Sequence, residues 1–290
     1  MEGEIRPLPR FEYFAPTSLD EVVTLLKEYH DEARLLAGGT DLLLNMKKRI
    51  VWPSVVVDLN RVSKLSSVEM NGKDLRIGAM TRLNDIARSP AVREKAPLLA
   101  EAIGFLAAGP IRNRATLGGN LCNASPAADT APPLLALEAS LKLCGPEGKR
   151  DVAISEFFLG PGQTERRADE VLTEVIIPVQ KGRSAFMKLG RRKGFTLSIV
   201  SVAAIGVIED ERFSDVRLAL GAVAPTPMRS REAEEILRGA RIDEEGISKA
   251  AELIKGTVSP ITDVRASAQY RREMASVLTK RVLRSVVTGD

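Results

Sequence analysis

The chain has 290 residues, of which 44% are hydrophobic, 28% charged and 4% aromatic, and its formal net charge is +4. That length can bury the core of about two or three compact units without disulfides or a structural metal, and no apolar run approaches the roughly twenty residues of a membrane helix. Two cysteines and a single histidine exclude a disulfide framework, a four-thiolate iron–sulfur cluster, a histidine-rich metal site and any nucleophile that depends on a histidine placed elsewhere.

The opening segment Met1-Glu2-Gly3-Glu4-Ile5-Arg6-Pro7 is acidic and proline-broken, where a signal peptide has a basic start and then an apolar stretch; a cytoplasmic chain is expected. Ser18-Leu19-Asp20-Glu21 has capping-box spacing, and Leu19, Val22, Val23, Leu26 and Tyr29 follow at helical intervals. His30 falls at the end of that helix, as a C-cap or a surface residue. An extended run at Ala33 to Ala37, a first glycine pair, a short helix over Leu42 to Lys48 and a strand at Val55-Val56-Val57 give the rhythm of a small parallel α/β unit.

Beyond Leu59 the pattern changes. Val68 to Ile77 carries an Asn71-Gly72 turn between two short extended runs, a hairpin. Helical stretches follow near Leu83 to Ala87 and Leu98 to Leu106, then a second glycine pair, then a helix over Ala127 to Ala136 interrupted by Pro132-Pro133. Strands at Leu141-Lys142-Leu143 and Val171 to Ile177 close this α+β unit at Pro178. After Gln180-Lys181-Gly182-Arg183, three extended runs, Ser184 to Leu189, Ile199 to Ile208 and Val216 to Val223, predict a small antiparallel sheet with a turn at Glu209 to Arg212. Helices are predicted over Glu232 to Leu237, Glu244 to Ile254 and Ala266 to Val286. The basic residues Arg265, Arg271, Arg272, Lys280, Arg281 and Arg284 are spread around that last helix and mixed with Glu273, so they read as a solvated face and not as a nucleic-acid stripe.

The chemistry concentrates in the two glycine pairs. Leu36-Ala37-Gly38-Gly39-Thr40-Asp41-Leu42 and Thr116-Leu117-Gly118-Gly119-Asn120 each stand between an extended run and a segment able to start a helix. Glycine allows positive φ and close approach of backbone amides to an anion, so two such loops could grip one pyrophosphate from both sides. Either alone is as well explained by a strand turning into a helix. There is no G-x-G-x-x-G after a strand and no lysine followed by Ser or Thr after a glycine loop, which disfavours a Rossmann dehydrogenase or a P-loop ATPase.

These segments, with Ser125-Pro126-Ala127-Ala128-Asp129 after the second and Phe186-Met187-Lys188-Leu189-Gly190-Arg191-Arg192 further on, resemble the FAD-binding signatures of the flavoprotein, or medium, subunit of the xanthine dehydrogenase and carbon monoxide dehydrogenase family of molybdenum hydroxylases. The resemblance covers nearly the whole chain. It implies an α+β chain with a PCMH-type FAD-binding fold of two α/β subdomains, over 1–59 and 60–178, followed by a C-terminal domain of sheet and helices over 184–290. It implies FAD as cofactor, held by Leu36 to Leu42 at the diphosphate and by Thr116 to Asn120 packed against the diphosphate and the flavin, with Ser125 and Asp129 toward the cofactor hydroxyls, Leu172 against the isoalloxazine and Lys188 as a cation near the flavin. Each of the last three has a plainer reading: Asp129 as a helix cap, Leu172 as strand core, and Lys188 as part of a basic turn with Arg191, Arg192 and Lys193.

In that family a large molybdopterin-binding subunit hydroxylates substrate and a small subunit with two-iron two-sulfur clusters passes the electrons on. The resemblance therefore implies an electron-transfer role in a heterotrimer or its dimer, with no membrane insertion and no nucleic acid. Relatives acting on aromatic acyl-CoA thioesters carry a cysteine-bearing insertion after the second loop; here Cys122 leads directly into Asn123, so no extra cluster is expected. The electron acceptor stays open. The alternatives are a free-standing FAD-dependent oxidase or reductase of the same broad fold, and a binding module that keeps the loops only as packing turns.

Overall fold

Ser18 starts the first helix, Leu19–Tyr29, by accepting the Glu21 N–H on its hydroxyl, and the Glu21 carboxylate accepts the Thr17 N–H in return. The apolar stripe predicted from spacing turns Val22 and Leu26 inward, and His30 ends the helix at φ 41° as its C-cap. The structure, a computed structural model, describes residues 7–192 and 194–289; the acidic residues Met1 to Arg6 and Lys193 of the basic turn lie outside them.

The helix packs on a three-stranded parallel sheet of β1 (Glu12–Phe14), β2 (Ala33–Leu36) and β3 (Val55–Asp58), in the order β1-β3-β2. The three valines of the central strand, Val55, Val56 and Val57, are all buried, as a parallel strand covered on both faces requires. Strand β1 went unpredicted because a three-residue run cut short by Pro16 shows no period.

A five-stranded antiparallel sheet comes next, built from β4 (Val68–Asn71), β5 (Asp74–Gly78), β6 (Ser140–Gly145) and β7 (Gly148–Ala153), then β8 (Phe158–Gly160) and β9 (Gln163–Thr164) as a separate small hairpin, and finally β10 (Val171–Pro178). Its order is β4-β5-β10-β6-β7, so the apolar β10 sits at the centre. The predicted hairpin forms, with Gly72 at φ +62° in its turn. Strand β7 was missed, since Lys149-Arg150-Asp151 obscures its alternation. One expectation is corrected: Pro132-Pro133 do not interrupt a helix over Ala127 to Ala136. They occupy the first turn of a helix that begins at Ala131 and ends at Ala136, where a missing N–H costs nothing.

The last sheet has β11 (Arg183–Leu189), β12 (Val200–Glu209), β13 (Arg212–Gly221) and the short β14 (Met228–Arg229), antiparallel throughout. Alternate residues of β12 enter two cores. Val200, Val202 and Ala204 pack with Ala250, Ile254, Val282 and Leu283 of the C-terminal helices, whereas Ala203 and Ile205 join the core that holds Leu98, Leu134 and Leu172. The same core thus runs from the five-stranded sheet onto the last one. Arg271 is also corrected: it is buried, and its guanidinium donates to the Ile199 and Ala222 carbonyls at 2.6 and 3.2 Å and to Asp263 at 2.8 Å. Among the described residues no helix is long and apolar enough to cross a membrane.

Candidate functional site

The first glycine segment leaves β2 and is braced from the end of β3. The Asn60 side-chain amide donates to the Ala37 carbonyl at 3.0 Å and to Asp58 at 2.5 Å, while the Tyr13 hydroxyl donates to the other Asp58 oxygen at 2.6 Å. Burial pushes the Asp58 carboxyl up, but the bonds from Tyr13 and Asn60 outweigh it and hold the group below its ordinary range. Gly39 turns the chain at φ +72°. From Gly38 through Leu42, no backbone N–H finds an acceptor among the described residues; Leu43 is the first to turn inward, donating to the Gly39 carbonyl at 3.3 Å. These residues are half-buried or, at Asp41, exposed, so the donors are open to the surroundings, and a consecutive run of them forms a concavity suited to an anion.

The second segment is built differently. Thr116 caps a short helix, Leu117–Cys122, so Gly118 and Gly119 lie inside a helical turn and not in a loop, and neither has positive φ. From Leu117 to Asn120 its amides are already used: Leu117 donates to Thr81, Gly118 to Ala79, Gly119 to the Thr116 hydroxyl and Asn120 to the Thr116 carbonyl, at 3.1, 2.8, 3.1 and 3.0 Å. Four of the segment's five amides, from Leu117 to Asn120, are thus engaged within the chain. Here glycine serves close packing: a methyl group at Gly118 would lie 2.7 Å from the Ala79 Cβ. Thr116→Val should cost about 1 kcal/mol through loss of the cap, read as a lowered denaturation midpoint at unchanged slope.

The two segments nonetheless meet. A methyl group at Gly38 would lie 2.2 Å from the Arg114 carbonyl oxygen and 2.9 Å from the Ala115 Cα, and one at Gly119 would lie 3.6 Å from the Ala37 Cβ. From this junction a polar chain leads inward. The Thr130 hydroxyl donates to the Asn120 side chain at 2.5 Å, and the neighbouring Asp129 forms an ion pair with Lys188 at 2.6 Å. Both of these side chains are only 4% exposed. Asp129 also accepts from the Ser198 hydroxyl, and Lys188 donates to the Phe105 carbonyl at 3.2 Å. Burial raises the Asp129 carboxyl above its usual range, opposed by the charge of Lys188 and by the bonds from Lys188 and Ser198.

Ser125 turns the chain toward Asp129, accepting the Ala127 N–H on its hydroxyl at 3.3 Å and the Ala128 N–H on its carbonyl at 2.9 Å. Leu172 is 3% exposed within the large core, beside the bulge between Leu172 and Glu174 in β10. Arg191 and Arg192 are exposed, the latter folded over Phe195, so of the described members of that basic stretch Lys188 alone turns inward. Cys122 is half-buried and Cys144 buried, and burial raises both thiols. Among the described residues there is no cluster of three or more groups able to hold a metal. Sequence reasoning missed Asn60, Tyr13 and Ser198; only Asp58-Leu59-Asn60, polar residues directly after an apolar strand, offered a signal.

Comparison with known proteins identifies the family. The family model described as the FAD binding domain in molybdopterin dehydrogenase matches residues 9–180, and that of the CO dehydrogenase flavoprotein C-terminal domain matches residues 184–286. The carbon monoxide dehydrogenase medium chain of Hydrogenophaga pseudoflava is 37% identical over 277 residues, covering 95% of this chain and 96% of that one. The glyceraldehyde dehydrogenase medium chain of Sulfolobus acidocaldarius is 33% identical over 279 residues, covering 96% and 99%. The solved structure of carbon monoxide dehydrogenase from Hydrogenophaga pseudoflava lacking the Mo-pyranopterin moiety of its molybdenum cofactor matches with a TM-score of 0.95 at 37% identity, over 97% of this chain and 99% of that one. The chain belongs to the FAD-binding medium subunits of the molybdenum hydroxylase family of oxidoreductases.

Proposed function

We infer that the chain is the electron-transfer subunit of a molybdenum hydroxylase assembly, accepting electrons from the two-iron two-sulfur clusters of a small partner subunit and passing them to an external acceptor, with a large molybdopterin-binding subunit performing the substrate chemistry. The observation that carries this reading is the run of unpartnered amides from Gly38 to Leu42, packed against the segment that leads to the buried Lys188. The donor set fits FAD. Neutral amides without internal acceptors suit a diphosphate, and bound FAD would supply the redox-active ring that this chain's own side chains lack.

In this reading the units are 1–59, 60–178 and 184–290, and the site lies where they meet. Gly38 to Leu42 donate to the diphosphate, while Leu36 and Ala37 bring the strand into the turn. Thr116, Leu117, Gly118, Gly119 and Asn120 form the opposing wall by packing and not by donation. Ser125 and Asp129 face the cofactor hydroxyls, and a carboxylate already bonded to Lys188 and Ser198 keeps lone pairs free for this. Leu172 supports the wall from the core. Lys188 holds a proton at Nζ in a fixed place, and a fixed cation in a dry site favours negative charge developing nearby.

The relatives' names differ in substrate, carbon monoxide in one and glyceraldehyde in the other, which agrees with specificity residing in another chain. The test is purification of the tagged chain from its native source. It is expected to bring down an iron–sulfur protein and a molybdopterin protein, and its flavin should be reduced by substrate only when both are present. A yellow, monomeric chain reduced by NADH or by substrate alone would overturn the subunit reading in favour of a free-standing enzyme.

A further inference from the structure

We propose that Ser198 is a positioning residue for Lys188, acting through Asp129, so that the last sheet both supplies the site's cation and fixes where it stands. The proposal rests on the reading of Lys188 given above. Asp129 comes from the segment after the second glycine pair, whereas Lys188 lies near the end of β11 and Ser198 just before β12. Ser198 is 1% exposed, so its hydroxyl has no water to turn to. It donates to Asp129 Oδ1 while Lys188 donates to Oδ2 at 2.6 Å. A carboxylate bonded on both oxygens by groups at the two ends of the β11–β12 connection cannot rotate about its terminal torsion without breaking one of them.

Ser198 is itself pinned. The next residue, Ile199, donates its N–H to the Leu189 carbonyl at 2.8 Å, directly after Lys188 in the chain, and its own carbonyl accepts the Arg271 guanidinium at 2.6 Å. Arg271 is anchored in turn by Asp263 at 2.8 Å, and Asp263 accepts the N–H groups of Arg265 and Ala266 at 2.8 and 3.2 Å. The serine is thus a fixed donor whose geometry is inherited from the buried arginine. Without its hydroxyl the carboxylate is free to swing, the ammonium loses its single location, and its field at the site weakens.

The experiment compares the assembled, FAD-loaded wild type with Ser198→Ala, Ser198→Cys, Ser198→Thr and Lys188→Met, measuring FAD content and the midpoint potential of the bound flavin by anaerobic titration. Ser198→Ala is expected to keep its FAD and to shift the flavin equilibrium about tenfold toward the oxidised form, about 30 mV for a two-electron couple. Ser198→Cys, a weak donor of similar size, should show the same shift without leaving a gap. Ser198→Thr should restore the wild-type value, and Lys188→Met should shift further in the same direction. Wild-type potentials in both the alanine and cysteine variants, with Lys188→Met shifted, would overturn the proposal for Ser198. An unshifted, FAD-loaded Lys188→Met would instead overturn the placement of Lys188 beside the flavin.

Discussion

Gly38→Ala is expected to strip the chain of FAD, lowering the flavin content of desalted protein at least about tenfold, the equivalent of roughly 1.4 kcal/mol or more of lost binding. The added methyl group would stand 2.2 Å from the Arg114 carbonyl oxygen, 2.7 Å from its carbon and 2.9 Å from the Ala115 Cα. All three are backbone atoms, so no side chain can swing aside to make room. Either the first segment or the turn before Thr116 must retreat, and overpacking of this kind costs about 1–3 kcal/mol of stability. The retreat also misaligns the free amides from Gly38 to Leu42, which carry the proposed diphosphate grip. Two controls separate this from general damage. Gly104 is exposed on the helix Pro97–Phe105 with open space where its Cβ would go; Gly104→Ala should gain up to about 1 kcal/mol from helix propensity and leave FAD untouched. His30→Ala, at the far end of the first helix, should also retain FAD. A flavin-loaded Gly38→Ala protein with an unchanged denaturation midpoint would show that the junction of the two segments is not the diphosphate site.

What the sequence made legible was whatever announces itself locally. Ser18 and its capping box, the Asn71-Gly72 turn and the apolar β10 and β12 all follow from spacing within a few residues, and each forms where expected. The two glycine pairs stood out as a candidate site because glycine admits conformations and close approaches that other residues do not. Their division of labour was not. That Gly39 bends the chain while Gly118 merely admits Ala79 depends on what lies across the fold, and no pattern along the chain carries that information. Arg271 illustrates the same limit. Among the other basic residues of its helix it reads as solvated, yet it is buried because two strand ends, at Ile199 and Ala222, leave carbonyls pointing at it. Ser198 had no signal at all, since a serine before a strand is ordinary until a buried carboxylate is found facing it.

Removing one member of the Asp129–Lys188 pair is expected to be among the most destabilising single changes in the protein, and removing both far less so. Asp129→Ala leaves an ammonium in a site where the side chain is only 4% exposed, with the Phe105 carbonyl at 3.2 Å as its sole remaining partner among the described residues. An uncompensated buried charge costs about 3–5 kcal/mol, whereas replacing a buried pair by apolar groups of similar volume is often neutral or stabilising by about 1–4 kcal/mol. Urea denaturation should therefore place Asp129→Ala well below wild type and the double variant Asp129→Leu, Lys188→Met close to it, with Asp129→Leu alone nearer the alanine variant. Ser198 would still be left without its acceptor in the double variant, which sets a residual cost of about 1–3 kcal/mol. Stability restored in this way should not restore function, because the apolar pair offers neither the proposed carboxylate toward the cofactor hydroxyls nor the proposed cation beside the ring. FAD content or flavin potential should stay perturbed in a protein whose stability lies within about 1–3 kcal/mol of the original. If the double variant instead proves as unstable as Asp129→Ala, the pair is holding the last sheet against the preceding unit by geometry that apolar packing cannot replace, and its retention reflects architecture before redox chemistry. If it recovers both stability and flavin behaviour, Asp129 and Lys188 play no part in the site.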